Sequence, residues 1–476
     1  MGPRFNYGKG LYDQLTEVMA RLDAMEKTHQ EETFQMKEEI STLQKENEHL
    51  REENRLLRED NARMKSILNN DSSNTSLPPS SDQKGGRPAN TYNSREKTGK
   101  KSGGQKGHKG TTLTKADVEE NLRSGKYCHR IREIGKERGG DYTVKYVLDL
   151  EVVPVITEVR IYRGKEGTAA IGEEYRSDVC YGEKVKALAV MLYGEGVMSI
   201  SRITSLLNDL GGGSLKLSEG SVYGFCRKFA QKEERDVKCL EERLLNQEVV
   251  STDATVVTLN GEQSFIRNFS IRDTVLYEGM EEKSLKALGE IEFLKKYTGI
   301  LMHDHETAMY HFGTGHGECN VHLLRYLKKN TEETGNSWSG KMSGLLTGIN
   351  RARKEAVERG EKNFQPEEVR KYKEEYREVL REGREEEKKL LNRLGKYEKN
   401  HLLFAEDFRV PFDDNMSERD LRKAKNRQKM SGGFRKGSGQ KMYCVILSIL
   451  ETLKRRGMPL LENIRTVFRE KTPALF

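Results

Sequence analysis

Apolar side chains repeat every seven residues along a stretch near the N-terminus, residues 11–68, that contains neither proline nor glycine. From residue 40 onward, the d positions hold Leu43, Leu50, Leu57 and Met64, and the a positions hold Ile40, Asn47, Asn54, Asn61 and Leu68. Asparagine at a positions favours one register and few strands. The pattern predicts a coiled-coil dimerisation helix that forms a homodimer or a higher oligomer. A solvated single helix is the alternative.

The heptads are followed by a polar segment, residues 69–125, which begins with a run rich in Ser, Asn, Gly, Pro and Lys. Such a composition offers almost nothing to bury and predicts a disordered basic linker. Its candidate DNA-binding residues are Lys84, Arg87, Lys100, Lys101, Lys106 and Lys109.

Alternating apolar residues over 126–176 predict a small β unit, and residues 177–246 then change to helical periodicity. In the helical region a glycine run at 211–213 separates two predicted helices, with Ser218 as the N-cap of the second. A helix-turn-helix that carries Arg227 and Lys228 is compatible with DNA binding. A helical pair without a DNA role is the alternative.

Strands and helices alternate over residues 247–330. A β-branched run, "VVSTDATVVTL" at 249–259, predicts a buried strand with Asp253 inside it, followed by two further strands and a helix at 283–297. A short apolar strand then ends at Asp304, and a helix follows from residue 319. Residues 331–403 are predicted as a charged helical insertion. Residues 404–476 are predicted as a loop, a basic helix, a glycine-rich loop and an apolar helix.

Charge is concentrated in two zones of a chain whose formal net charge is only +8. Residues 84–110 contain eight Lys or Arg and one acid, and residues 416–441 contain nine Lys or Arg and two acids. Two such zones indicate a polyanionic partner, most simply DNA. The chain has no apolar run long enough to span a membrane and no CxxC motif, so we expect a cytoplasmic protein without membrane association.

Three acids are candidates for chemistry: Asp253, Asp304 and Glu418, the last at the start of the basic helix. Converging carboxylates repel each other and require cations, and oxygen ligands select hard ions. The expected cofactor is Mg²⁺ or Mn²⁺, two ions, which would activate an attacking oxygen at phosphorus. Asp413, Asp414 and Asp420 are rivals of Glu418, and acids that cap a turn or begin a helix are the alternative reading.

Four stretches together resemble the insertion sequence 66 family of bacterial transposases. They are "NNDSSNTSLPPSSD" with "KKSGGQKGHKGTTL", "HDHETAMYHF" with "CNVHLLRYL", "VPFDDNMSERDLRKAKNRQKMSGGFR", and the weaker "STDAT". The resemblance implies an α/β protein with an RNase H-like catalytic domain and a DDE triad, here Asp253, Asp304 and Glu418. It also implies a DNA transposase that nicks element ends and joins the 3′-OH to target DNA, with companion proteins of the same element as further partners.

The resemblance also assigns roles to residues around the triad. Phosphates of DNA would be held by Arg419, Arg422, Lys423, Lys425, Arg427, Lys429 and Arg435. The backbone of "SGGFRKGSG" would approach DNA closely, or the segment would be a mobile loop. Cys319 and His322 would brace the catalytic fold, or would be two ordinary buried helix residues. In the family's usual pattern a small residue follows the second Asp. Here His305 stands there. Contact with the metal shell is one reading of this residue, and we expect instead that it points to solvent.

One departure concerns zinc. The family's cysteine-rich, zinc-finger-like segment is reduced here to Cys128, His129 and Cys180, so no zinc is expected. Two other functions stay open: a non-catalytic DNA-binding regulator, and a structure-specific nuclease of the RNase H fold that cuts strands without joining them.

Overall fold

A computed structural model describes residues 7–68, 114–125, 129–133, 143–148, 150–161, 175, 177–383, 387–469 and 475. The chain divides into two compact units. Of the described residues, those at 7–68 and 325–339 belong to the first unit, and those between 114 and 324 and between 340 and 475 belong to the second. No helix in the described part of the chain is both long and apolar enough to cross a membrane.

The first unit is dominated by α1, a single helix at Tyr7–Leu68 that begins four residues before the predicted start. Its heptad side chains are exposed in the isolated chain, including Leu43, Leu50 and Leu57, each about half accessible. An exposed apolar stripe of this kind is what a coiled-coil seam presents before pairing. Dimerisation through α1 stays a prediction.

The linker and the small β unit differ from their predictions. Within the predicted linker, α2 forms at Lys115–Arg123 because Thr114 and Asp117 make a reciprocal capping box. The six basic linker residues and Cys128 lie outside the described residues. No strand forms in the described parts of 126–176, where Val147, Leu150 and Ile156 are at least 85% exposed. An alternating pattern becomes a strand only where neighbouring strands accept its hydrogen bonds and cover its apolar face.

Four helices follow: α3 at Glu183–Gly194, α4 at Ile200–Leu210, α5 at Glu219–Lys232 and α6 at Glu234–Leu245. The predicted break and cap are both present. The chain turns through Gly212 and Gly213 at positive φ, and the Ser218 hydroxyl accepts the Ser221 N–H at the start of α5. Arg227 and Lys228 are exposed on α5, so both are accessible to a partner.

Five strands form one mixed sheet in the order β3-β2-β1-β4-β5. Their bounds are β1 Val249–Leu259, β2 Glu262–Ser270, β3 Val275–Met280, β4 Ile300–His303 and β5 Gly315–Glu318. Strands β1, β2 and β3 are antiparallel, whereas β4 is parallel to both β1 and β5. The sequence analysis predicted four of these strands and missed β5, whose two glycines and histidine carry no strand signal.

The predicted helix at 283–297 is instead two short helices, α7 at Leu285–Leu288 and α8 at Glu292–Lys296, because the first ends at Gly289. After β4 the chain forms a 3-10 helix at Thr307–His311 and reaches α9 at Asn320–Thr334 through β5.

The insertion is helical as predicted. It comprises α10 Trp338–Glu358, α11 Pro366–Arg381, α12 Lys388–Lys396 and α13 Glu398–Glu406. The C-terminal region comprises α14 Asn415–Asp420, α15 Arg422–Ser431, α16 Gly437–Arg455 and α17 Leu460–Arg469.

Apolar side chains on the two faces of the sheet enter different cores. Val257 of β1 packs in a core with α3, α5 and α16, whereas Val250 packs in a core with α8 and the 3-10 helix. Since side chains alternate along a strand, Asp253 lies on the Val257 face of β1. That is the face against which α14 packs.

Candidate active site

The two aspartates meet because β1 and β4 run in parallel and share a register. β1 pairs with β4 only from Val249 to Ser251, with Ser251 opposite Met302. Continuing this register by two residues places Asp253 opposite Asp304, just after β4 ends. Neighbouring strands lie about 4.8 Å apart. The two carboxyl groups therefore share the end of this strand pair.

Asp253 is held by hydrogen bonds to Asn268 and Ala254, and the pKa of its carboxyl group is raised. Its backbone N–H donates to Asn268 Oδ1 at 3.0 Å, and its own Oδ1 accepts the Ala254 N–H at 2.6 Å. Burial and the nearby Asp304 carboxylate raise the pKa of Asp253 to about 6. The surrounding groups therefore compensate for only part of the free-energy cost of ionising Asp253.

Helix α14 brings the third acid to the same place. The helix is anchored on β2 because Asn268 Nδ2 donates to the Ser417 carbonyl at 3.3 Å and Ser270 Oγ donates to Asp420 Oδ2 at 2.7 Å. Asp420 also forms a buried ion pair with Arg455. Glu418 points the other way and lies 3.5 Å from His322, measured from Oε1 to Nε2. The side chains of Glu418 and Asp420 therefore diverge, as expected for helix positions two residues apart.

His322 joins the second and third acids. Its Nδ1 lies 2.6 Å from Asp304 Oδ1, while its Nε2 faces Glu418. Burial alone would lower the pKa of His322, but the Asp304 carboxylate and Cys319 raise it well above its usual value. From the sequence, His322 was expected only to brace the fold. Its position one helical turn after Cys319 was visible, but its place between two acids was not.

A fourth carboxyl group, Asp414, completes the cluster. It is 1% exposed, and its N–H donates to Cys319 Sγ at 3.3 Å. Burial, and then Cys319, Asp253 and Asp304, raise the pKa of Asp414 well above its usual value. Asp414 therefore borders the same site as Glu418, of which it was the predicted rival.

This donor set suits a metal cation. Several carboxyl groups at one point, with raised pKa values at Asp253 and Asp414, are a concentration of negative charge that a divalent ion would balance. One ligand atom each from Asp304, Cys319 and His322 lies within 4.8 Å of the others. Asp253, Asp304 and Glu418 offer the oxygen ligands that Mg²⁺ or Mn²⁺ prefers, whereas Cys319 and His322 add softer ligands.

The sequence model of the Transposase IS66 family matches residues 178–442. This range is more than half of the chain and includes the whole sheet and every acid of the site. The chain belongs to this family. No curated protein matches it. Family membership identifies a transposase, and thus an enzyme that processes DNA.

Two of the transposase's predicted phosphate-binding residues are engaged inside the fold. Arg427 is 6% exposed, and its guanidinium lies 4.4 Å from the Tyr193 ring centroid and 5.3 Å from that of Tyr443. It also donates to the Met198 carbonyl at 2.8 Å. A guanidinium stacked in this way is part of the core. The prediction of a DNA contact for Arg427 is therefore wrong.

Lys423 is also committed to partners within the protein, because its ammonium forms ion pairs with Glu195 and Glu451. These ion pairs compete with the predicted phosphate contact of Lys423, which stays a prediction. Lys425 is half-buried. The remaining predicted residues of this region are exposed: Arg419, Arg422, Lys429 and Arg435.

The glycine-rich loop of the transposase contacts its own sheet. Phe434 N donates to the Thr258 carbonyl, and Asn260 N donates to the Phe434 carbonyl, both at 2.7 Å. Gly433 has φ +102°, and a Cβ there would lie 2.3 Å from the Thr258 oxygen. Position 433 therefore requires glycine, because the backbone there lies against β1. At Gly433 and Phe434 the loop contacts the protein's own sheet, in place of the predicted approach to DNA or a mobile loop.

His305 was predicted to point to solvent, but it points toward Glu318. Its Nδ1 lies 3.2 Å from Glu318 Oε1 in a buried polar cluster. Glu318 is 2% exposed and also receives hydrogen bonds from Tyr310, Arg393 and His401. Burial would raise the pKa of Glu318, but its bonds to His305, His401 and Tyr310 hold it far below the usual range. The cluster fastens α12 and α13 to the segments that carry Asp304 and Cys319.

Proposed function

We propose that the protein is a DDE transposase that cuts the ends of its element and joins the freed 3′-OH to target DNA. The observation that carries this proposal is the convergence of Asp253, Asp304 and Glu418 at the end of the β1–β4 pair. A mixed sheet of three antiparallel strands followed by two parallel ones supports an RNase H-like catalytic fold. Membership of the transposase family supports the reaction type.

Each acid has a role that its contacts suggest. Asp253, Asp304 and Glu418 would hold two Mg²⁺ or Mn²⁺ ions through carboxylate oxygens. When bound, these ions would activate the attacking oxygen and stabilise the leaving oxygen at phosphorus. His322 would orient Asp304 through the 2.6 Å contact. Asn268, which bonds both the Asp253 backbone and α14, would keep the first and third acids in register.

Nicking consumes one water molecule, and joining needs no reactant other than the two DNA strands. In nicking, the oxygen of water bonds to phosphorus, the bond from phosphorus to the 3′-oxygen breaks, and that oxygen gains a proton. In joining, the freed 3′-OH attacks a target phosphodiester and displaces the 3′-oxygen of the target strand. The exposed cations Arg419, Arg422, Lys429 and Arg435 would hold backbone phosphates close to this chemistry.

The test uses duplex DNA that carries the ends of the protein's own element, with Mg²⁺ or Mn²⁺. D253N, D304N and E418Q should each abolish nicking and joining while DNA affinity is retained, because each keeps the side-chain shape but loses ligand charge. The matched control is D273N, which removes a partly exposed carboxylate of the same unit that pairs with Arg243 and accepts a hydrogen bond from Thr274.

Different outcomes would correct different parts of the proposal. If E418Q cuts DNA and D414N does not, Asp414 is the third ligand. If DNA is cut but never joined, the protein is a nuclease of this fold. Activity in all three main variants would refute the catalytic assignment, and binding without any cutting would favour a DNA-binding regulator.

A further inference from the structure

A lysine that the sequence analysis did not select lies beside the first acid. Lys283 follows β3, precedes α7 and is half-buried. Its ammonium donates to the Ala254 carbonyl at 3.4 Å, immediately after Asp253 in the chain. The same ammonium lies 5.4 Å from the ring centroid of Phe265, a cation–π distance, so it is held between this ring and the Ala254 carbonyl.

The edge of β1 that Lys283 reaches is the edge that faces the site. Main-chain groups of successive strand residues point to alternate edges. The Thr258 carbonyl accepts Phe434 N–H on the edge away from β2, so the Ala254 carbonyl, four residues earlier, is on that edge too. Pairing with β4 stops at Ser251. Lys283 therefore places its ammonium in the opening beyond β4, where Asp304 lies.

Among the described residues, Lys283 forms no ion pair with a carboxylate. Its hydrogen-bond partner is a neutral carbonyl. It does lower the pKa of Asp253, although less than burial and Asp304 raise it. Two basic residues that were expected to hold DNA, Lys423 and Arg427, are engaged elsewhere in the fold. Lys283 thus supplies a positive charge next to Asp253, just beyond the last residue of β1 that pairs with β4. No cation was predicted at this position from the sequence.

We propose that Lys283 is a catalytic residue that binds a nonbridging oxygen of the scissile phosphodiester. This inference rests on the proposed function, because it needs a phosphate at the acid cluster. The ammonium would neutralise charge that builds on phosphorus oxygens as the attacking oxygen approaches. It would also turn the phosphate so that the bond to the 3′-oxygen lies away from the attacking group.

The test measures single-turnover nicking of the protein's own element ends by K283M, K283R and the matched control K286M. Methionine is an unbranched side chain of similar length that removes the charge. Lys286 is an exposed lysine three residues away on α7. We expect K283M to slow nicking by about 100-fold, the typical effect of losing one charge-stabilising donor, with K283R intermediate and K286M like the wild type. Thermal unfolding of the variants should stay close to that of the wild type.

A second readout separates a phosphate contact from a structural effect. Stereodefined phosphorothioates at the scissile position replace one nonbridging oxygen at a time. In the wild type and in K286M, sulfur at the contacted oxygen should slow nicking more than sulfur at the other. In K283M that difference should shrink, because the contact is already absent.

Equal rates for K283M and K286M, or an unchanged difference between the two phosphorothioates in K283M, would overturn the inference and leave the DDE assignment intact. If the wild type does not nick the DNA at all, the proposed function fails and the inference falls with it.

Discussion

The sharpest stability test concerns two adjacent glycines that differ in surroundings. Gly432 ends α15 at φ +69°, and a Cβ added there would meet nothing within 4 Å. Gly433 has φ +102°, and its Cβ would lie 2.3 Å from the Thr258 oxygen. Alanine therefore adds backbone strain at both positions but creates a clash with β1 only at the second.

The expected costs follow from this difference. G432A should destabilise the protein by about 1 kcal/mol, since strain of about 1–2 kcal/mol is partly offset by lower entropy of the unfolded chain. G433A adds strain of about 1–3 kcal/mol and displaces Phe434 from two main-chain hydrogen bonds of about 1 kcal/mol each. We therefore expect a total loss of about 3–5 kcal/mol for G433A.

Urea unfolding, compared at equal slope, measures the free energy of each variant. Hydrogen exchange gives the local readout, because the amides of Asn260 and Phe434 make the two loop bonds and should lose protection in G433A only. Equal destabilisation by the two substitutions, or retained protection of these amides in G433A, would refute the close-contact explanation.

Three further predictions concern charge, packing and assembly. The raised pKa of Asp253 means that the metal-free folded state keeps a proton that the unfolded chain releases, so this group's contribution to stability falls as pH rises from about 4 to about 6. In EDTA, D253N should therefore melt above the wild type at pH 8, and the gap should close near pH 4. R427K should lower the melting temperature without reducing DNA affinity, whereas R435A should weaken DNA binding in a gel shift without lowering that temperature. A peptide of residues 36–68 should sediment as a dimer, and a monomer at tens of micromolar would exclude the coiled-coil assignment.

Local sequence patterns were sufficient to predict an element where its first interaction partner is close in the chain. The β-branched run became β1 with the predicted bounds, and Ser218 caps α5. The cap needs only Ser221, three residues along the chain, and β1 finds its antiparallel partner β2 directly across a short turn. The described residues of 126–176 form no strand, because alternation specifies which side chains could share a face and does not supply a partner strand.

The site divides in the same way. The sequence determined that acids would lie inside β1, after β4 and at the start of α14, because each position is tied to its own element. Only the tertiary structure placed His322 and Asp414 among them, turned His305 toward Glu318, and committed Lys423 and Arg427 to internal partners. Those outcomes depend on groups more than ten residues away in the chain. A side chain's chemistry can be read from its type, but its partner is decided by which elements pack together.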